Sequence, residues 1–183
     1  IGTFSKSSSQ NNLDVGDRAN DDIRINGSEV RAKVVGEGAN LGCTQLGRIE
    51  YALGGGRIDT DAIDNSAGVD TSDHEVNLKI LFSGPVRRGE LSMEARDALL
   101  TEMTDDVAAH VLKDNYDQTL ALSVAQSRAA KELDAHSRYI RDLERRGKLD
   151  RAVEFLPDDA GLHNRAKENK GLTRPALAVM LAY

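Results

Sequence analysis

Tryptophan is absent and the aromatics make up only 4% of the 183 residues, so any core must be built mainly from Leu, Val, Ile and Ala. The single cysteine, Cys43, excludes an internal disulfide and suits a reducing compartment. No apolar run approaches the ~20 residues needed to span a bilayer, so no membrane segment is expected and the cytoplasm is the expected location. Basic residues are not in excess either: 24 Lys and Arg stand against 30 Asp and Glu. Phosphate backbones demand clustered cations, so nucleic acid is not an expected partner. His110, His136 and His163 show no metal-ligand spacing, and no metal is expected. The chain opens Ile-Gly-Thr-Phe-Ser-Lys instead of with Met, and we expect it to be a piece of a longer polypeptide.

What the sequence does contain is concentrated between Lys33 and Ile80. Residues 5–22 are polar and rich in turn formers, and read as a loop. Ile23-Arg24-Ile25 alternates like a short strand, and Asn26-Gly27 predicts a tight hairpin turn into a strand from Glu29 to Val35. Thr44 to Leu53 has apolar residues near helical spacing and is stopped by Gly54-Gly55-Gly56. A second strand follows over Ile58 to Ile63, giving a βαβ unit whose strands should be parallel.

From Gly68 on, strand signals vanish. Val76, Leu78, Ile80, Leu81 and Phe82 belong to a segment that Gly84-Pro85 should end. Helices are predicted from Ser92 to Met103, from Thr104-Asp105-Asp106 toward Ala130, from Leu133 to Arg146, over Leu149 to Leu156, and after Thr173-Arg174-Pro175. The expected fold is therefore α/β followed by α. Residues 1–68 would form the C-terminal half of a Rossmann-like parallel sheet, and residues 69–183 a mainly helical region.

Two polar stretches carry candidate chemistry. Gly36-Glu37-Gly38-Ala39-Asn40-Leu41-Gly42 follows a strand and precedes a helix, but it falls short of G-x-G-x-x-G because the third glycine comes one position late. A plain strand-to-helix turn is the leading alternative to pyrophosphate binding. Gly38 and Ala39 would still let a ligand approach the backbone, and Asn40 offers an amide that both donates and accepts. In Asp64-Asn65-Ser66-Ala67-Gly68-Val69-Asp70-Thr71-Ser72-Asp73-His74-Glu75, Ser72 and Glu75 have capping-box spacing. A helix N-terminus there would equally attract a substrate carboxylate, and both readings can hold at once. His74 could serve as a general base, although a histidine among acids is more often solvated or structural.

Together these stretches resemble the later half of the nucleotide-binding domain of amino-acid dehydrogenases of the glutamate dehydrogenase superfamily. That family has an E-G-A-N turn, a helix, then N-A-G-G-V with a serine three residues beyond. Here they are Glu37-Gly38-Ala39-Asn40, Asn65-Ser66-Ala67-Gly68-Val69 and Ser72. The text around Val15 to Asp21, Val35 to Gly42, Asp64 to Asn77, Asp114 to Thr119 and Glu154 to Pro157 is similar to the very large bacterial NAD-specific branch.

The resemblance implies NAD as cofactor, with Asn40 and Asn65 near the nicotinamide and its ribose. Gly38, Ala67 and Gly68 would be the small residues that let it sit close. It implies L-glutamate and 2-oxoglutarate as substrate and product, with Ser72 on the side-chain carboxylate, and a homo-oligomeric parent. The catalytic lysine and aspartate are expected upstream, so the chain alone should be inactive. Gly42-Cys43-Thr44 and N-S-A-G depart from the Pro-Thr and N-A-G-G of the small hexameric relatives. The alternative is a non-catalytic helical module for oligomerisation or regulation.

Overall fold

The computed structural model describes residues 2–38 and 40–183, and the predicted small residue Ala39 lies outside them. The molecule is mainly helical with a small parallel sheet. The sheet pairs β1 (Ser5–Lys6) with β2 (Ile25–Asn26). Between them the expected loop contains α1 (Asn12–Val15). Hydrophobic periodicity could not reveal this segment, because a charge organises it. The Lys6 ammonium is fully buried and donates to Asp21 Oδ1 at 2.8 Å, the Asp17 carbonyl at 3.0 Å and Asn12 Oδ1 at 3.3 Å.

The hairpin expected at Asn26-Gly27 does not form. A 3-10 turn over Gly27–Glu29 takes its place, with Asn26 and Glu29 closing a capping box. Glycine is needed there for a different reason: a Cβ on Gly27 would lie 2.3 Å from the Gly47 carbonyl oxygen, so the turn packs against backbone.

The two longer predicted strands shrink to one bridge, Val34 to Arg57, which is parallel as expected. Val35 N–H donates to the Arg57 carbonyl at 2.9 Å, and Arg57 N–H to the Lys33 carbonyl at 3.0 Å. The connecting helix is α2 (Gln45–Leu53), capped by the Thr44 hydroxyl. Beyond the bridge the chain turns into α3 (Asp61–Asp64) instead of continuing to Ile63 as strand.

α4 (Ser66–Arg87) starts earlier than the sequence suggested and runs past Pro85. A proline in the last turn forfeits one hydrogen bond without breaking what little helix remains. Gly89, at φ +72°, lies just beyond its end. α5 (Met93–Glu102) is capped by Ser92 as predicted, and α6 (Thr104–Arg128) follows almost without interruption. The Thr104 hydroxyl donates back to the Leu100 carbonyl instead of capping. α7 (Leu133–Arg145) ends near Gly147 at φ +64°. Residues 149–156 do not form the expected helix; the chain turns over 151–155, with Phe155 at φ +53°. α8 (Asp159–Lys167), capped by Asp158, was not anticipated, and α9 (Arg174–Leu181) begins after Thr173 with Pro175 in its first turn.

Two cores result. Leu122, Leu133, Ile140, Leu143, Leu162 and Leu177 anchor the larger, helical one, which also takes in Ile63. Cys43, Tyr51 and Ile58 form the smaller under α2. α9 packs against both α2 and α6 and so joins them. Its Arg174 pairs with Asp59 and donates to the Thr119 carbonyl at 3.2 Å.

Candidate functional site

The two polar stretches meet just beyond the parallel Val34–Arg57 bridge. The turn after Val34 runs from Gly36 to Gly42, and the one after Arg57 leads through α3 to Asn65, the residue preceding α4. Asn65 is a strong capping residue type, but its side chain does not cap α4. It donates instead to Asn40 Oδ1 at 3.2 Å, across 25 residues of sequence.

The small residues behave differently from one another. A Cβ on Gly38 would meet nothing within 4 Å, so protein packing does not demand glycine there and the space beside it is open. A Cβ on Gly68 would stand 2.8 Å from Asn65 Oδ1, so glycine at 68 is what gives the Asn65 amide its position. Ala67 lies in the first turn of α4 beside it, and its carbonyl accepts from the Thr71 hydroxyl at 2.7 Å.

Ser72 is not a cap. α4 begins at Ser66, which puts Ser72 in its second turn with an exposed side chain, and the Ser72–Glu75 capping box therefore does not form. The helix N-terminus belongs to residues 66–68. Seven residues of helix nevertheless return Ser72 to nearly the face of Asn65, about 10 Å further along the axis.

Beneath the asparagine pair lies a charged cluster that the sequence reading missed. Glu37 is buried, its carboxylate accepting from the Gly42 N–H and from the buried guanidinium of Arg48. Arg48 also lies 3.9 Å from Asp61. Asp61 accepts from Leu41 N–H and Asp64 from Glu37 N–H, both at 3.1 Å. Leu41 is held in the left-handed region at φ +64°, with its carbonyl taking the Thr3 hydroxyl at 2.7 Å. Burial pushes the Asp64 carboxyl up to about 6; Asp59 and Glu37 add to this, while the Glu37 N–H and Arg48 oppose it. Burial likewise raises the Cys43 thiol. The one available signal was the Asp61-x-x-Asp64 spacing, which puts two carboxylates on one side of a single helical turn.

On the other side of this turn a cleft of about 1010 Å³ is lined by Leu41, Cys43, Arg48, Asp61 and the apolar edge of α9. Asn115 of α6 fixes the start of α4 by donating to the Ile63 carbonyl at 3.2 Å and to Ser66 Oγ at 2.9 Å. His74 stacks on His110 of α6 at 6.3 Å between ring centroids, and the Asp70 carbonyl and carboxylate raise its pKa. This is the structural alternative for His74. Among the described residues, no group of three side chains could hold a metal ion, and no helix is long and apolar enough to cross a membrane.

The molecule is thus a mainly helical protein with a small parallel sheet, and Asn40, Asn65 and the Glu37–Arg48–Asp61–Asp64 cluster meet in the segments that follow the Val34–Arg57 bridge. Residues 1–125 match the family model described as bacterial NAD-glutamate dehydrogenase, catalytic domain, and the chain belongs to that family. Over all 183 residues it is 55% identical to a protein of Pseudomonas aeruginosa named NAD-specific glutamate dehydrogenase. It is 49% identical to proteins of the same name from Halomonas elongata and Mycobacterium tuberculosis. The chain spans 11% of the length of each relative.

Proposed function

We propose that the chain is a segment of an NAD-dependent glutamate dehydrogenase, converting L-glutamate and water to 2-oxoglutarate and ammonium, and that it forms the nicotinamide and substrate wall of the crevice. Residues 1–68 act as the C-terminal half of a Rossmann-like nucleotide-binding domain, and residues 69–183 as a helical part, the division falling in the first turn of α4. The observation that carries this reading is the contact between Asn65 and Asn40, which joins the two segments that follow the parallel Val34–Arg57 bridge.

The residues present fit a nucleotide cofactor, because the space beside Gly38 is open and Asn40 is exposed next to it. Bound there, NAD would supply the acceptor for the hydride of the glutamate α-carbon. Gly38, Ala67 and Gly68 keep this wall free of bulk, and Asn40 and Asn65 present amide donors and acceptors that orient the nicotinamide ribose and ring. Ser72 donates its hydroxyl to the glutamate side-chain carboxylate. The contribution of this wall is to hold the two reacting carbons at near-attack distance. The lysine and aspartate of the chemistry lie in another part of the longer chain, and the 183 residues alone turn nothing over.

The enzyme is cytoplasmic and homo-oligomeric in this reading. Val76 and Ile80 of α4 and Leu112, Tyr116 and Leu120 of α6 are exposed, and this favours a second role for the helical part as a docking face. In the full-length enzyme, Asn40→Ala and Asn65→Ala should weaken NAD binding. Ser72→Ala should raise the KM for glutamate roughly 10- to 100-fold, as expected for one hydrogen bond to a charged group. Unchanged constants would overturn the site. Glutamate-dependent NADH formation by the isolated chain, above a Ser72→Ala control, would overturn its inactivity.

A further inference from the structure

Asn40 is exposed and sits in a glycine-bearing turn, and a single exposed amide contact to Asn65 is too weak to hold two carboxamides in one geometry. Something else must fix the turn. On both sides of Asn40 the backbone is tied to the same short helix: Leu41 N–H to Asp61 Oδ2 and Glu37 N–H to Asp64 Oδ2, each at 3.1 Å. That helix runs directly into Asn65. Its two carboxylates therefore join the turn bearing one asparagine to the segment bearing the other.

The tie is braced from beneath. Glu37 closes the turn on the Gly42 N–H and pairs with Arg48, itself 3.9 Å from Asp61, so the carboxylates of α3 and the guanidinium of α2 surround one turn. Groups that orient a site's contact residues by hydrogen bonding set its geometry as much as the contacts do. We propose that Asp61 and Asp64 are positioning residues, a two-carboxylate clasp that holds Asn40 against Asn65 in the register required for nicotinamide binding. This rests on the reading of the asparagines as cofactor contacts. The clasp also explains why Leu41 keeps a positive φ: its N–H and its carbonyl are both committed, to Asp61 and to Thr3.

The test is a double-mutant cycle in the full-length enzyme, read as the NADH dissociation constant by fluorescence titration. Asp64→Ala should weaken binding roughly tenfold, the effect of one charged hydrogen bond. Asp64→Asn, which retains an acceptor for the Glu37 N–H, should restore it. Asp64→Ala added to Asn40→Ala should cost nothing further, because the clasp acts through Asn40. As a readout independent of nucleotide, the Leu41 amide should exchange with solvent roughly tenfold faster in Asp61→Ala. Additive effects in the cycle, failure of Asp64→Asn to rescue, or an unchanged Leu41 exchange rate would overturn the clasp. An Asn40→Ala enzyme that binds NADH normally would instead overturn the reading of the site on which the clasp rests.

Discussion

The side-chain amide of Asn65 reaches Asn40 Oδ1 at 3.2 Å while Gly68, one helical turn on, leaves just enough room for it. Alanine at 68 improves helix propensity by about 1 kcal/mol. Its Cβ, however, would stand 2.8 Å from Asn65 Oδ1, and the asparagine side chain would have to move. Gly68→Ala should therefore leave thermal stability unchanged or raised while removing the nuclear Overhauser contacts between the two asparagine side chains. An intact contact in a Gly68→Ala protein would show that glycine is not what positions Asn65.

Arg48 and Glu37 form an ion pair with both side chains almost fully buried. Removing one member leaves an uncompensated charge, which typically costs 3–5 kcal/mol. We expect Arg48→Ala to lower the free energy of unfolding by roughly that amount in urea titrations. Arg48→Leu combined with Glu37→Gln should cost less, since Glu37 is then not left as a buried unpaired charge and only Asp61 and Asp64 lose the guanidinium. A single-mutant loss under about 1 kcal/mol would mean that the pair is effectively solvated.

How these groups could be read from sequence depended on the forces involved. Helices α2, α5, α6, α7 and α9 announce themselves through apolar spacing, the glycines that stop α2 and a cap such as Ser92, because burial of one face and satisfied end groups are local in sequence. The parallel direction of Val34 and Arg57 followed from an intervening helix. The N-terminal segment did not announce itself, since Lys6 organises it through partners at 12, 17 and 21 with no periodicity to detect. The resemblance points to Asn40, Asn65 and Gly68, and the structure puts the first two in contact. The Ser72–Glu75 spacing points to a later start for α4 than the structure has, because Asn65 ends one helix and starts the next and so hides where α4 begins. The clasp was illegible because Asp61 and Asp64 act on backbone N–H groups, which every residue type presents equally.

Asp64 gives the stability a specific pH dependence. Its carboxyl, ordinarily near 3.8, is raised to about 6 in the folded protein, so the fold holds this proton more tightly than the unfolded chain does. The Asp64 contribution is fully present below the unfolded value and is lost as pH rises through the folded one. Wild-type stability relative to Asp64→Asn should therefore fall between about pH 4 and pH 6 and stay constant above that. Urea midpoints of the two proteins at pH 4, 5, 6 and 7.5 give the comparison. Asp64→Asn should be the more stable at pH 7.5, by a margin that shrinks toward pH 4. A margin independent of pH would place the Asp64 titration outside this window.

Two glycine substitutions with opposite expectations test where backbone packing matters. A Cβ on Gly171 would lie 2.3 Å from the carbonyl carbon of Ala129 and 2.5 Å from its oxygen, and backbone cannot step aside as a side chain can. Overpacking of this kind costs typically 1–3 kcal/mol. The strain falls in the loop leading into α9, whose Arg174 pairs with Asp59 and ties α9 and α6 to the residues after the Val34–Arg57 bridge. Gly171→Ala should lower Tm and weaken that pairing, visible as faster amide exchange around Asp59. At Gly36 a Cβ would meet nothing within 4 Å and φ lies outside the left-handed region. Gly36→Ala should therefore be neutral, or stabilising by about 0.4–1 kcal/mol through the unfolded chain. If Gly171→Ala is tolerated while Gly36→Ala destabilises, the tight contact is in the turn at the asparagines and not beneath α9.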